Sequence, residues 1–277
     1  MEKFAQYINR IEIQSLWAGR KHIVWNLRPE VNILSGVNGV GKSTILNRIV
    51  SAIRHRESGL IDAIPGISLE FYPADATKIR FDVIRSFDNG LVPASILSKI
   101  SEEGVRSELD WRIYELQRRY LDYQVNIGNR IIAALTSGQP DAQEKAMEIS
   151  SSKTQFQNLV DELFADTEKS IDRGCNELRF EQYDQLLSPY SLSSGEKQML
   201  VLLLTVLLQD KKPYALFLDE PEISLHVEWQ EKLINIVRSL NPNAQIILTT
   251  HSPALIMNGW TDAVTEVSDI TTDVTSE

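Results

Sequence analysis

The octet Gly36-Val37-Asn38-Gly39-Val40-Gly41-Lys42-Ser43 has the spacing G-x-x-x-x-G-K-[ST]. Glycines in such a loop let successive backbone N–H groups wrap a phosphate chain, and a helix opening at its end adds positive potential. In that arrangement Lys42 reaches the β- and γ-phosphates, and Ser43 offers its hydroxyl to Mg2+. Asn38 and Gly39 shape a loop that contacts phosphate from Gly36 through Gly41 to Thr44. Far downstream, Tyr214-Ala215-Leu216-Phe217-Leu218 is an apolar run ending in two acids, Asp219 and Glu220. A strand inside a parallel sheet delivers such carboxylates to its C-terminal edge, where ligands bind in open α/β sheets. Asp219 would hold Mg2+ directly or through water. Glu220 would act as general base on the attacking water. Alone, an Asp-Glu pair fits a solvated turn equally well; the phosphate loop upstream makes it a site.

These residues work only if strands and helices present them together. Val31–Leu34 is a short apolar strand running into the glycine loop, and Ile45, Leu46, Ile49, Val50 and Ile53 mark the helix behind it. Ile11–Gln14, His22–Leu27, Ile67–Tyr72 and Ile79–Ile84 are further strand candidates, and Gln245–Thr249 follows the acid-bearing strand. Between the two chemical segments the pattern changes. Leu109, Ile113, Leu116, Tyr120, Tyr123 and Ile127 form a heptad-like stripe behind a Ser107/Asp110 helix start. Gly138-Gln139-Pro140 stops that helix, and a second, carrying Ile149, Phe156, Leu159, Val160 and Leu163, starts at Asp141. Residues 91–185 therefore read as a helical insertion, a lid or short coiled-coil hairpin, between head segments 1–90 and 186–265. Its stripe packs on the head or docks a partner. Residues 266–277 read as a flexible acidic tail.

Composition narrows the class. The 277 residues are 43% hydrophobic and 24% charged, ordinary for a globular chain with a full core. One cysteine, Cys175, permits neither an internal disulfide nor a cysteine-based zinc site. The net charge of −10 removes a global basic field. The N-terminus MEKFAQYINR has no apolar core of a secretory signal, and the longest apolar run, Met199–Leu208, is half of what a membrane span needs. A cytoplasmic protein without a membrane partner is expected.

One more segment carries chemistry: Leu192-Ser193-Ser194-Gly195-Glu196-Lys197-Gln198. Ser193 and Glu196 satisfy the helix capping-box pattern by themselves. The segment also resembles the LSGGQ/LSGGE signature of ATP-binding-cassette (ABC) ATPases, with Ser194 in place of the first glycine. Pro221-Glu222-Ile223-Ser224-Leu225-His226 resembles the EPE-x-x-LH segment of OLD-like and RecF-like members, and Thr249-Thr250-His251-Ser252-Pro253 matches the switch-histidine position. The chain is thus similar to the SMC/RecF-like and OLD-like branch of that superfamily. The resemblance implies an α/β fold, a P-loop NTPase of ABC-ATPase type, with ATP and Mg2+ bound. It implies that Ser193 and Gly195, with Glu196 beside them, meet the γ-phosphate held by a second copy, and that His251 senses that phosphate. His226 would orient the dimer-facing loop. It assigns no Q-loop glutamine; Arg85, Ser86 and Asp88 lie near the expected point. Trp17 and Trp25 are candidates for the adenine contact, Trp25 being the better core residue.

The expected activity is ATP hydrolysis by an ATP-sandwiched homodimer. The expected role is control of a separate effector, a nuclease, toxin or other defence component, in anti-phage defence or DNA processing. OLD-like proteins continue into a nuclease domain, whereas this sequence stops soon after His251, so the effector is expected on another polypeptide. The alternatives are the ATP-binding subunit of a transporter and a structural DNA clamp without effector. Arg10, Arg20, Lys21, His22 and Arg28, with Arg112, Arg118, Arg119 and Arg130, are candidate nucleic-acid contacts or solvated faces.

Overall fold

The computed structural model describes residues 3–57, 66–85 and 104–274. Ser86, Asp88 and the start of the expected insertion lie outside them. The N-terminal part carries strands β1 (Tyr7–Leu16), β2 (Lys21–Asn26) and β3 (Val31–Ser35), helix α1 (Lys42–Glu57), and strands β4 (Ile67–Tyr72) and β5 (Phe81–Arg85). Two long helices follow, α2 (Glu108–Thr136) and α3 (Ala142–Leu163), then short strands β6 (Ser170–Ile171), β7 (Phe180–Gln182) and β8 (Gln185–Leu187). The remainder is α4 (Ser194–Leu208), β9 (Tyr214–Asp219), α5 (Val227–Leu240), β10 (Ala244–Thr249), α6 (Pro253–Met257), β11 (Val264–Glu266) and β12 (Thr271–Asp273).

The central sheet runs β11-β3-β10-β9-β5, and every pairing in it is parallel. Strand alternation splits two cores across it. On β9, Ala215 and Phe217 face one core while Leu216 and Leu218 face the other; on β10, Ile247 opposes Ile246 and Leu248 in the same way. The first core lies under α1 and an antiparallel sheet, β12-β2-β1-β4. Gln245 stitches that sheet to β10: its amide donates to the carbonyls of Ile8 and Arg28 (both 2.8 Å) and accepts from the Ile8 N–H (2.8 Å).

The second core is built by helices. The apolar run of α4 is buried from Met199 through Leu207, as a helix apolar all round must be. The α2 stripe, Leu109, Ile113, Leu116, Tyr120, Tyr123 and Ile127, is buried in the same core as α4 and β9. Of the two readings of that stripe, packing on the head is the one observed. The helices expected as a separate insertion share the head's core. They span about 44 and 33 Å at 1.5 Å per residue. Beyond α3, strands β6-β7-β8 form a small antiparallel sheet that no sequence pattern announces.

The tail expectation is corrected within the described residues. β11 pairs with β3, and β12 pairs with β2. Lys21 and Asp273 form an ion pair, and the Val274 N–H donates to the Arg20 carbonyl (2.9 Å). A short Thr-rich stretch lacks the alternation that marks a strand, but an available sheet edge orders it all the same.

Candidate functional site

Three parallel strands, β3, β9 and β10, bring their C-terminal ends together, and nearly all the expected phosphate-side residues sit there. The glycine loop leaves β3 and enters α1 at Lys42. The Lys42 side chain is buried, and its ammonium donates to the carbonyls of Gly36 (2.9 Å) and Val37 (3.4 Å) inside its own loop. Gly41, at φ +100°, could carry no side chain: a Cβ there would lie 2.0 Å from Trp17 Cζ2. Val37, Asn38, Gly39 and Thr44 face solvent.

Asp219, at the end of β9, is 8% exposed and accepts from Ser43 Oγ (2.9 Å) and Thr249 Oγ1 (2.6 Å). A hydroxyl and a carboxylate in contact make an all-oxygen pair, the donor chemistry Mg2+ takes beside phosphates and water. The residues present therefore fit that ion. Among the described residues no cluster of three or more His, Cys, Asp or Glu side chains is grouped for a metal.

Glu220 follows with φ +47°, a left-handed conformation that costs a non-glycine residue roughly 1 kcal/mol. Its N–H is held by both the carbonyl and the hydroxyl of Thr249 (3.1 Å each). This pinning aims the carboxylate at the loop, with Oε1 3.9 Å from Lys42 Nζ and 3.6 Å from His251 Nδ1. His251 Nδ1 is equally 3.6 Å from Glu222 Oε1. Glu222 is 5% exposed; its Oε1 accepts from Thr250 Oγ1 (2.5 Å) and the His251 N–H (3.2 Å). His251 thus stands between two carboxylates. Glu222, Thr249 and Thr250 position the site, yet in the sequence they were only neighbours inside quoted motifs. Their signal was adjacency to Glu220 and His251. Arg85 is the register partner of Asp219 on β5 and donates to Asn47 Oδ1 (2.9 Å).

The signature segment is placed differently. Ser193 caps α4 in a complete capping box: its hydroxyl accepts from the Glu196 N–H (3.3 Å) and its N–H donates to Glu196 Oε2 (2.8 Å). Ser193 and Ser194 are exposed and Gly195 half-buried. Gly195 is in close contact with the 220–225 turn; a Cβ there would lie 2.6 Å from the Ser224 carbonyl oxygen. Glu196 is corrected as a ligand contact. It is 3% exposed and accepts from Lys169 Nζ (2.8 and 3.1 Å) and Thr167 Oγ1 (2.8 Å). Burial pushes its carboxyl up, but Lys169, the Ser193 N–H and Thr167 outweigh that and leave it below the ordinary value. The next residue, Lys197, pairs with Asp110 (2.8 Å) in the capping box that opens α2. Adjacent residues behind the signature therefore grip both ends of the α2–α3 hairpin.

Other candidates separate cleanly. Trp25 is buried in the core at 1% exposure; Trp17 is 39% exposed against the loop. His226 is an exposed helix-start residue with no capping bond. Of the basic residues weighed for DNA, Arg10 pairs with Glu12 and Glu70, His22 lies 3.1 Å from Glu12, and Lys21 pairs with Asp273. Arg130 pairs with Asp210, and Arg118 lies over the Tyr114 ring. These five residues each have an acidic or aromatic partner within the fold. No helix among the described residues is long and apolar enough to cross a membrane.

The family model described as "AAA domain, putative AbiEii toxin, Type IV TA system" matches residues 74–258, which include the Leu192–Gln198 segment, Asp219, Glu220 and His251. 

The glycine loop, Gly36–Ser43, precedes the matched span. The chain is 44% identical over 41 residues to the Septu protein PtuA of Bacillus thuringiensis, covering 15% of this chain and 10% of that protein. It is 36% identical over 93 residues to a "Putative ABC transporter ATP-binding protein" of Pyrococcus abyssi, covering 33% and 34%. It is 28% identical over 95 residues to the "Retron Vc95 probable ATPase" of Vibrio cholerae, covering 30% and 18%. Each match thus spans 34% or less of the relative's own length. Among solved structures, the SMC head bound to the C-terminal winged-helix domain of ScpA superposes with a TM-score of 0.53 at 13% identity, over 97% of both chains. At that identity the likeness speaks for the fold, which is that of P-loop ABC-type ATPase heads. With the family model matching more than half of its residues, the chain belongs to the AAA-domain family of the AbiEii type.

Proposed function

We propose that this chain binds ATP with Mg2+ at the glycine loop, hydrolyses it, and acts as one head of an ATP-sandwiched homodimer that controls a separate effector in anti-phage defence or DNA processing. The observation that carries this reading is the convergence of Lys42, Ser43, Asp219, Glu220 and His251 at one sheet edge, while Ser193 and Ser194 face solvent at a helix N-terminus. The first group makes the phosphate side of a site. The second is free to meet a γ-phosphate held by another copy.

In the hydrolytic step Glu220 orients a water in line with the γ-phosphorus and accepts its proton as the new P–O bond forms. The bond to the β-phosphate oxygen breaks, leaving ADP and inorganic phosphate. Lys42 leaves its loop carbonyls to neutralise charge on the β- and γ-oxygens, and His251 holds a γ-oxygen. Ser43 and Asp219 would hold Mg2+, which would supply further charge neutralisation. Such chemistry is mainly positioning and charge stabilisation. Charge-assisted bonds from Ser193 and Gly195 of the second copy, roughly 1.5–3 kcal/mol each, would draw the heads together until hydrolysis removes their target. Exposed Val37, Ile223 and Val227 add apolar surface near these segments. The helices of residues 91–185 would carry the resulting shape change to the effector. The Septu and retron names of two relatives support the defence role.

The test is the oligomeric state by light scattering. Glu220→Gln with ATP and Mg2+ should accumulate dimers, and Lys42→Ala should remain monomeric. Equal dimer fractions with and without ATP in the Glu220 variant would refute the sandwich. The archaeal transporter relative favours a second reading, a transporter cassette; co-purification with an integral membrane protein would select it.

A further inference from the structure

Just ahead of α2, residues 104–107 are clamped against the Leu192–Gln198 segment and its approach. Gly104, at φ +124°, lies so close to Tyr190 that a Cβ there would be 3.1 Å from Tyr190 Cδ2. Val105 is buried, and Arg106, the next residue, is exposed. The N–H groups of Arg106 and Ser107 donate to Asp110 Oδ2 (3.0 and 2.9 Å), while Asp110 Oδ1 pairs with Lys197 Nζ (2.8 Å) on α4. One carboxylate thus fixes the Arg106 backbone relative to the helix that begins at Ser194. A cleft of about 540 Å³ opens between the two elements, with Arg106, Tyr190, Ser191 and Ser194 among its walls. Its two cations are not equivalent. Lys197 is neutralised by Asp110, whereas the Arg106 guanidinium has no acidic partner among the described residues, in a chain of net charge −10. A guanidinium left unneutralised is a planar fork of donors that matches phosphate oxygens in pairs.

We propose that Arg106 acts in trans: it contacts the γ-phosphate of the nucleotide held by the second copy, and neutralises charge on its oxygens as the bond to the β-phosphate oxygen breaks. This rests on the ATP-sandwiched reading and adds to it a residue that lies in none of the chain's motifs. The direction follows from what Arg106 is tied to. Lys42, Asp219 and Glu220 of the same chain stand at the ends of β3 and β9. Arg106 is joined instead to α4, so the phosphate it serves is the one that Ser193 and Gly195 meet.

Phosphate release is measured on full-length variants, mixed as nucleotide-free chains before ATP and Mg2+ are added. Arg106→Ala alone should lower kcat by about 10³-fold, the lower end of what an arginine supplied by another subunit contributes. Glu220→Gln alone is slow for lack of a base. In a mixed dimer the Arg106→Ala copy keeps its own Glu220 and receives Arg106 from the other copy, so one site is complete. An equal mixture should therefore recover roughly a quarter of the parent rate, because random pairing makes half of the dimers mixed and each holds one complete site of two. Parental kcat in Arg106→Ala overturns the proposal. So does a mixture no faster than the mean of its components, because Arg106 would then serve its own chain's site or none. Light scattering of Glu220→Gln separates the two readings. Absence of dimers with ATP sinks the sandwich and the proposal with it; dimers without recovery in the mixture remove Arg106 alone. Arg106 is exposed, and its bond to Asp110 comes from the backbone, so Arg106→Ala leaves the fold intact.

Discussion

The two halves of the proposed site are held by different means. On the phosphate side, hydrogen bonds run between strand ends that are already neighbours in a parallel sheet: Ser43 and Thr249 to Asp219, Thr249 to the Glu220 N–H, Thr250 to Glu222. On the signature side, two buried ion pairs join the start of α4 to elements outside the central sheet: Lys197–Asp110 to the first turn of α2, and Glu196–Lys169 to the connection between α3 and β6. The first half is rigid because the sheet is rigid. The second can shift only if the α2–α3 hairpin shifts with it.

That contrast can be broken by substitution. The largest effect is expected on the phosphate side, where Lys42→Ala should abolish ATP binding measured by titration. Glu220→Gln should keep binding but lower kcat by about 10²- to 10⁴-fold, the usual worth of a general base. On the signature side, Lys169→Ala strands a buried carboxylate. It should destabilise the fold by about 3 kcal/mol in urea unfolding while leaving tripolyphosphate binding intact. If Lys169→Ala instead abolishes phosphate binding, the two halves are not separable. Arg130→Ala, which removes an exposed pair with Asp210, should cost less than about 1 kcal/mol.

Acid should reveal the same asymmetry. The carboxyls of Glu196 and Asp110 are both held below their ordinary values; at Asp110 burial pushes up, and Lys197 with the Ser107 and Arg106 N–H groups outweighs it. A lowered folded-state pKa contributes stability that is present above the unfolded value and is lost as pH falls through the folded one. With ordinary values of 4.5 and 3.8, that loss should begin below about pH 4.5. Urea midpoints measured from pH 7 down to 3 should show it, and Glu196→Gln should flatten the curve.

Much of this was legible before any coordinates. The buried α2 stripe matches its heptad spacing residue for residue, because one helix face needs only a local period to be recognised. The glycine loop, Asp219 with Glu220, and His251 lie at the C-terminal ends of β3, β9 and β10, where the sequence pattern placed them. Glu196 was misjudged because a capping glutamate and a ligand-facing glutamate look alike in sequence. Only Lys169, 27 residues earlier, distinguishes them. The tail was misjudged for a related reason: three residues of Thr-Thr-Asp carry no period, and their order comes from the β2 edge.

By itself, then, the order of residues determined most of the long strands and helices and which motif side chains gather at the ends of β3, β9 and β10. Both are set by periods and motifs only a few residues long. Tertiary structure alone decided which carboxylates face inward, how the signature is tied to the α2–α3 hairpin, and that β11 and β12 pair with β3 and β2. Those outcomes depend on contacts between residues tens to hundreds of positions apart, and burial and charge pairing select them only once the sheet has assembled.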